Sequence, residues 1–132
     1  YLTNDEEEDI LNYMERHHLQ MVSTGTGMRY QIVKEGDGAL IEPGQTVTME
    51  YVLRNVMGDE LYSSENDGLM TFVVGCGDVV SGLDEAMRHL HKGDVAEVII
   101  PSHLGYGLLG DQKSIPERTT LVYMVHILEV DK

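Results

Sequence analysis

From Met28 onward the chain alternates apolar and polar residues with a period of two. Met28, Tyr30 and Ile32 alternate with polar neighbours. Val47, Met49, Tyr51 and Leu53 fall on one face of the next run and Thr48, Glu50 and Arg54 on the other, and Met70, Phe72 and Val74 repeat the pattern. Successive side chains of a strand point to opposite faces, so each run predicts a half-buried β-strand. Leu61–Ser64 reads as a short returning strand, and Val95–Ile100 and Leu121–Val130 as two more. "EPGQ" at 42–45 and "MGDE" at 57–60 supply turns between them.

The period becomes helical in two places. Leu83, Ala86, Met87 and Leu90 fall at i, i+3, i+4 and i+7, Ser81 with Asp84 gives a cap-like start, and Gly93 a stop. This predicts a helix over 82–92 with one apolar stripe, suited to lying across the concave face of a curved sheet. At the other end, Ile10, Leu11 and Met14 form a short stripe, with His17 and His18 in the last turn. Thr3 and Glu6 match a capping box, and Asp5 to Asp9 set five carboxylates near the positive end of the helix dipole. "STGTG" at 23–27 ends that pattern, so 1–27 reads as an acidic helix and linker standing apart from a domain at 28–132. The fold class is α+β, dominated by an antiparallel sheet.

Composition narrows the function. The chain has 132 residues, enough for one domain with one hydrophobic core, and 42% hydrophobic against 24% charged residues is the balance of a soluble globular protein. A net charge of -14 opposes binding to nucleic acid or an anionic membrane. No apolar run approaches the roughly 20 residues that span a bilayer. Cys76 is the only cysteine, so intramolecular disulfides are excluded. A chain starting at Tyr1 reads as a fragment or processed form from which any export signal is already missing.

Conventional catalytic signals are weak. His17-His18 and His89-x-His91 have spacings that do not put both rings on one helical face, as a zinc pair needs, and read as surface histidines. Gly75-Cys-Gly77 reads as a plain turn, and Ser63-Ser64 lacks the elbow of a nucleophilic serine. One segment stands out. In "PSHLGYG" at 101–107, Tyr106 sits between two glycines that free the backbone to aim its ring at a core or a ligand.

The order of segments is specific where single strings are loose. "GQTVTMEYVL", "GDELYSS", "FVVGCGDVVSGLDEAM", "KGDVAEVIIPSHLGYG" and "IPERTTLVYMVHIL" run collinearly from about Gly44 to Val130. In this order the chain resembles the FKBP-type peptidyl-prolyl cis-trans isomerases. The resemblance implies a five- or six-stranded antiparallel half-barrel wrapped around the 82–92 helix, with residues 1–27 outside the match. It implies rotation about X-Pro amides, proline-containing polypeptides as partners and, more weakly, macrolide ligands, with no metal or cofactor. The alternative on the same fold is a catalytically weak or inactive proline-peptide-binding or chaperone module.

By the same resemblance, Tyr106, Tyr51, Tyr62 and Tyr123 carry catalysis, and Leu61, Met70, Val79, Val80, Leu83 and Ile115 bind substrate in a shallow apolar pocket. The Tyr106 hydroxyl and the Val80 N–H are then the donors that hold the peptide. The chain departs from the family pattern at Leu83, where a tryptophan is usual, at Met70 and Leu61, where phenylalanine is common, and at Tyr62, in the place of an aspartate. These departures bear on rate and macrolide binding rather than on the fold. A helix ahead of the domain resembles exported envelope members of bacteria, which sets the expectation of a bacterial cell envelope or periplasmic location.

Overall fold

The strand furthest along the chain, β7 (Leu121–Asp131), lies inside the sheet, paired along its length with β3 (Thr46–Arg54) and through its first half with β6 (Val95–Ile100). A computed structural model describes residues 4–105, 115 and 119–131. Among these, β1 (Val22–Ser23) and β2 (Arg29–Lys34) extend the sheet beyond β6. On the other side, β4 (Glu60–Ser63) pairs with the second half of β3 and β5 (Met70–Val73) with its first half. The result is an open seven-stranded sheet of order β1-β2-β6-β7-β3-β4, with β5 off the path on β3 and every pair antiparallel. The added strand β1 is two exposed residues inside the stretch read as linker, too short to show any period.

The inner face follows the alternation. Val47, Met49, Tyr51 and Leu53 of β3 and Leu121, Tyr123, Val125 and Ile127 of β7 are buried in one cluster with Leu83, Ala86 and Met87 of a helix laid across them. That helix, α3, spans Ser81–Met87, shorter than the 82–92 expectation. Its N-cap is Val80 without a side-chain cap bond; Ser81 Oγ instead donates to the Leu104 carbonyl and Asp84 Oδ1 accepts the Gly75 N–H. The helix stops early because another strand of backbone competes for its continuation. Ile41 N–H donates to the Leu90 carbonyl, and the buried Asp94 carboxylate accepts from the amides of Gly36 and His91. Leu90 thus leaves the helix and is still fully buried. Of the histidines read as surface residues, His89 is half-buried and stacks on Tyr30 with ring centroids 4.9 Å apart.

The outer face is half covered. β6 reads as an almost unbroken apolar run because both its faces are buried. α1 (Asn4–Arg16) packs Ile10 and Tyr13 on Ile99 and Val122 in a second cluster, with Met14, Leu19 and Met21 at its edge. Tyr13, not the half-exposed Leu11, completes the stripe. α1 is therefore docked on the sheet rather than standing apart. Thr3 of the expected capping box lies outside the described residues. The Glu6 carboxylate accepts from Ser102 N–H and Oγ and from Thr120 Oγ1, at 2.6–2.8 Å, and Glu7 pairs with Arg29.

Beneath α1, Tyr13 Oη donates to Glu97 Oε2 at 3.3 Å. Burial pushes the Glu97 carboxyl above its ordinary value, and the Tyr13 bond, His17 and Arg54 only partly offset this. The Tyr13 hydroxyl is raised too, by burial first and by Glu97 next. A carboxyl raised in the folded state contributes stability that is complete below its unfolded value and is lost as pH rises through the folded one. Glu97→Gln keeps an acceptor for Tyr13 and removes the charge. It should raise Tm by a few degrees at about pH 7–8, and the gain should vanish below about pH 4. Thermal melts across this range check it; a gain that persists in acid would show that charge burial is not the cause.

Candidate functional site

Two adjoining clefts open beside α3 on the inner side of the sheet. The first, about 450 Å³, is walled by Met70 and Phe72 of β5, floored by Leu83 and Tyr123, and closed by Val79 and Val80. The second, about 290 Å³, is lined by Tyr51, Leu53, Tyr62, Asp67, Met70 and Tyr123. They share Met70 and Tyr123, so together they form one trough, with Thr71 and Asp78 adding polar surface to the first cleft.

Each wall has a local cause. Period two on β3 and β7 turns Tyr51 and Tyr123 inward, their rings 6.3 Å apart and tilted by 50°. Leu83 is fully buried because the first turn of α3 faces the sheet. That close approach needs Gly82, where a Cβ would stand 2.4 Å from Ile100 Cγ2. Val80 is the N-cap of α3, its carbonyl accepting from the amides of Leu83 and Asp84, and its own N–H precedes the helical ladder.

The second cleft is shaped by a short helix the sequence did not reveal, α2 (Ser64–Asp67). Ser63 caps it, its Oγ accepting the Asn66 N–H while Asp67 Oδ2 accepts the Ser63 N–H at 3.0 Å. Ser64 Oγ accepts the Tyr51 N–H at 3.1 Å, tying α2 to the strand that carries the tyrosine. At the far end of the trough, Asp78 lines the first cleft and its Oδ2 accepts the Val73 N–H at 3.0 Å.

Of the ten residues singled out from the sequence, seven line this trough: Tyr51, Tyr62, Met70, Val79, Val80, Leu83 and Tyr123. Leu61 is half-buried against the core beside it and lines neither cleft. Ile115 is buried in the core cluster. Tyr106 lies outside the described residues. Sequence reading missed Leu53, Thr71, Phe72, Asp67 and Asp78; Phe72, the only phenylalanine, was legible as core but not as wall.

A more open groove of about 520 Å³ lies on the outer face, among Glu50, Glu60, Glu65, Met124 and His126. Its charged rim is a poor seat for a proline ring, and of the ten residues it shares only Tyr51. The inner trough is the candidate site. Among the described residues no helix is long and apolar enough to cross a membrane.

The fold has counterparts among known proteins. An FK506-binding protein of Streptomyces anulatus is 36% identical over 99 residues, covering 73% of this chain and 80% of the relative. FK506-binding protein 1A of Emericella nidulans is 32% identical over 108 residues, covering 80% and 99%. The crystal structure of FkpA from Escherichia coli superposes with a TM-score of 0.82 at 29% identity, over 96% of this chain and 60% of that one. The chain thus spans well under the full length of FkpA. A family model described as FKBP-type peptidyl-prolyl cis-trans isomerase matches residues 38–128, from the loop before β3 to the body of β7 and across the whole trough. The chain belongs to the FKBP-type peptidyl-prolyl cis-trans isomerase family.

Proposed function

We propose that the chain isomerises X-Pro peptide bonds in the trough between α3, β5 and the Tyr51–Tyr123 pair. The observation that carries this reading is the convergence of two clefts on the apolar side chains of Met70 and Tyr123, the first floored by fully buried Leu83. The reaction breaks no bond. Its barrier, about 18–20 kcal/mol, comes from the partial double-bond character of the amide. As the bond twists, carbonyl and nitrogen lose conjugation and the amide becomes less polar. A wall of Met70, Phe72, Val79 and Leu83 suits that twisted amide better than water does, so the trough favours the transition state over the planar ground state. The Val80 N–H, at the free start of α3, and the Tyr106 hydroxyl are the donors that hold the peptide while it turns.

A second reading, a proline-peptide-binding module without turnover, is favoured by Leu83 and Tyr62, which stand where the family pattern has a tryptophan and an aspartate. Turnover of a proline tetrapeptide, followed by a protease-coupled assay or exchange NMR, decides between them. In the isomerase reading Tyr106→Phe removes one neutral hydrogen bond of roughly 0.5–1.5 kcal/mol, so kcat/KM falls about three- to tenfold. Tyr106→Ala should fall further, because it removes the ring as well. Equal rates for Tyr106→Ala and the parent would remove Tyr106 from the site. A parent that binds the peptide without turnover would establish the second reading.

A further inference from the structure

The trough carries a charge that its apolar walls do not explain. Asp67 lines one cleft and Asp78 the other, and both are solvent-exposed. Each is held by one oxygen only: Asp67 Oδ2 accepts from the Ser63 amide and Asp78 Oδ2 from the Val73 amide. A backbone donor neutralises no charge, and in each carboxylate the second oxygen is left for a further partner.

Among the described residues of both clefts there is no lysine, arginine or histidine. The nearest cation along the chain from Asp78, Arg88, is engaged by Asp84 at 3.6 Å and lines a different depression. The segments 106–114 and 116–118 hold Asp111, Lys113, Glu117 and Arg118, two acids against two bases. The whole chain, at -14, adds a field of the same sign.

We infer that the trough selects X-Pro segments bearing a lysine or arginine next to the proline, and discriminates against acidic ones. This rests on the reading of the trough as the X-Pro site. The proline ring meets the apolar walls, and the neighbouring basic side chain extends along the trough toward Asp67 or Asp78. Aliphatic stems of Lys and Arg lie well on Met70 and Tyr51 while the charged head reaches water and carboxylate. Like charge at the same place is repelled, which gives discrimination in both directions.

The test uses three tetrapeptides that differ only in the residue before proline: leucine, lysine or glutamate. Both kcat/KM and affinity, by NMR shift titration, are read at low and high salt. At low salt the lysine peptide should exceed the leucine peptide by roughly two- to fivefold, the range of a partly exposed ion pair, and the glutamate peptide should fall below it. The difference should sit in KM or Kd and shrink as salt is raised. Asp67→Asn and Asp78→Asn keep an acceptor for the backbone amide, and each should lower the lysine-to-glutamate ratio. That ratio is taken within one variant, so a general loss of activity cancels, and the salt series needs no variant.

Equal handling of lysine and glutamate peptides, or a ratio that salt and both variants leave unchanged, overturns the inference. Failure of the proposed function looks different: peptides bind with the lysine preference but none is isomerised. In that case the charge selectivity stands and the catalytic reading falls. No binding of any peptide overturns both.

Discussion

Leu90→Ala should lower unfolding free energy by about 2–5 kcal/mol, the range for truncating an enclosed leucine. Leu90 is fully buried, packed in the main cluster with Ile41 and Met87, although it lies beyond the end of α3. Its backbone is fixed from both sides: its N–H donates to the Met87 carbonyl and its carbonyl accepts from Ile41. The main chain therefore cannot collapse into the space the side chain leaves. Urea denaturation should show a lower midpoint at unchanged m-value. A loss below about 1 kcal/mol would mean the site closes up, against the rigid crossing seen here.

Gly36→Ala should be at least as damaging through the opposite defect. A Cβ there would stand 2.3 Å from the Lys92 carbonyl oxygen and 2.4–2.5 Å from backbone atoms of Gly93. All three are main chain, so no rotamer change relieves the clash. The segment after β2 must move away from the turn before β6. That move breaks the Gly36 N–H bond to Asp94 at 2.7 Å and leaves a buried carboxylate short of a donor. Overpacking plus an unsatisfied buried charge places the loss at about 3 kcal/mol or more. Gly58→Ala is the comparison, since its φ is +91° but a Cβ there meets nothing within 4 Å. It should carry backbone strain alone and lose less. Equal losses for the two would show that the crossing at 36 and 93 is not tight.

The sheet was legible wherever one face is buried, because alternation records which face that is. β3 is the clearest case, with Val47, Met49, Tyr51 and Leu53 inside as their spacing required. The end of α3 was not legible. Leu90 continues the helical stripe in register, and the contacts that halt the helix come from Gly36, Ile41 and Asp94, which local pattern does not include. α2 was invisible for another reason: its four residues bury nothing, so no period marks them. The trough became legible only through resemblance of ordered segments, since Met70, Leu83 and Tyr123 each look like ordinary core. Asp67 and Asp78 could not be picked from 23 acidic residues, because what distinguishes them is the cleft they face.

The place of β7 has a consequence for how the chain acquires its shape during synthesis. Residues 121–131 fill the gap between β3 and β6, both made earlier, and among the described residues no other strand joins those two. In a nascent chain that ends at residue 120, strand pairing alone would give two pieces, β3 with β4 and β5, and β6 with β1 and β2. Each piece presents an open edge and half a core. Joining them waits on contacts between residues far apart in sequence, the slow kind of pairing, while the open edges can recruit strands from other chains. The arrival of one late segment thus converts two sticky halves into a finished sheet.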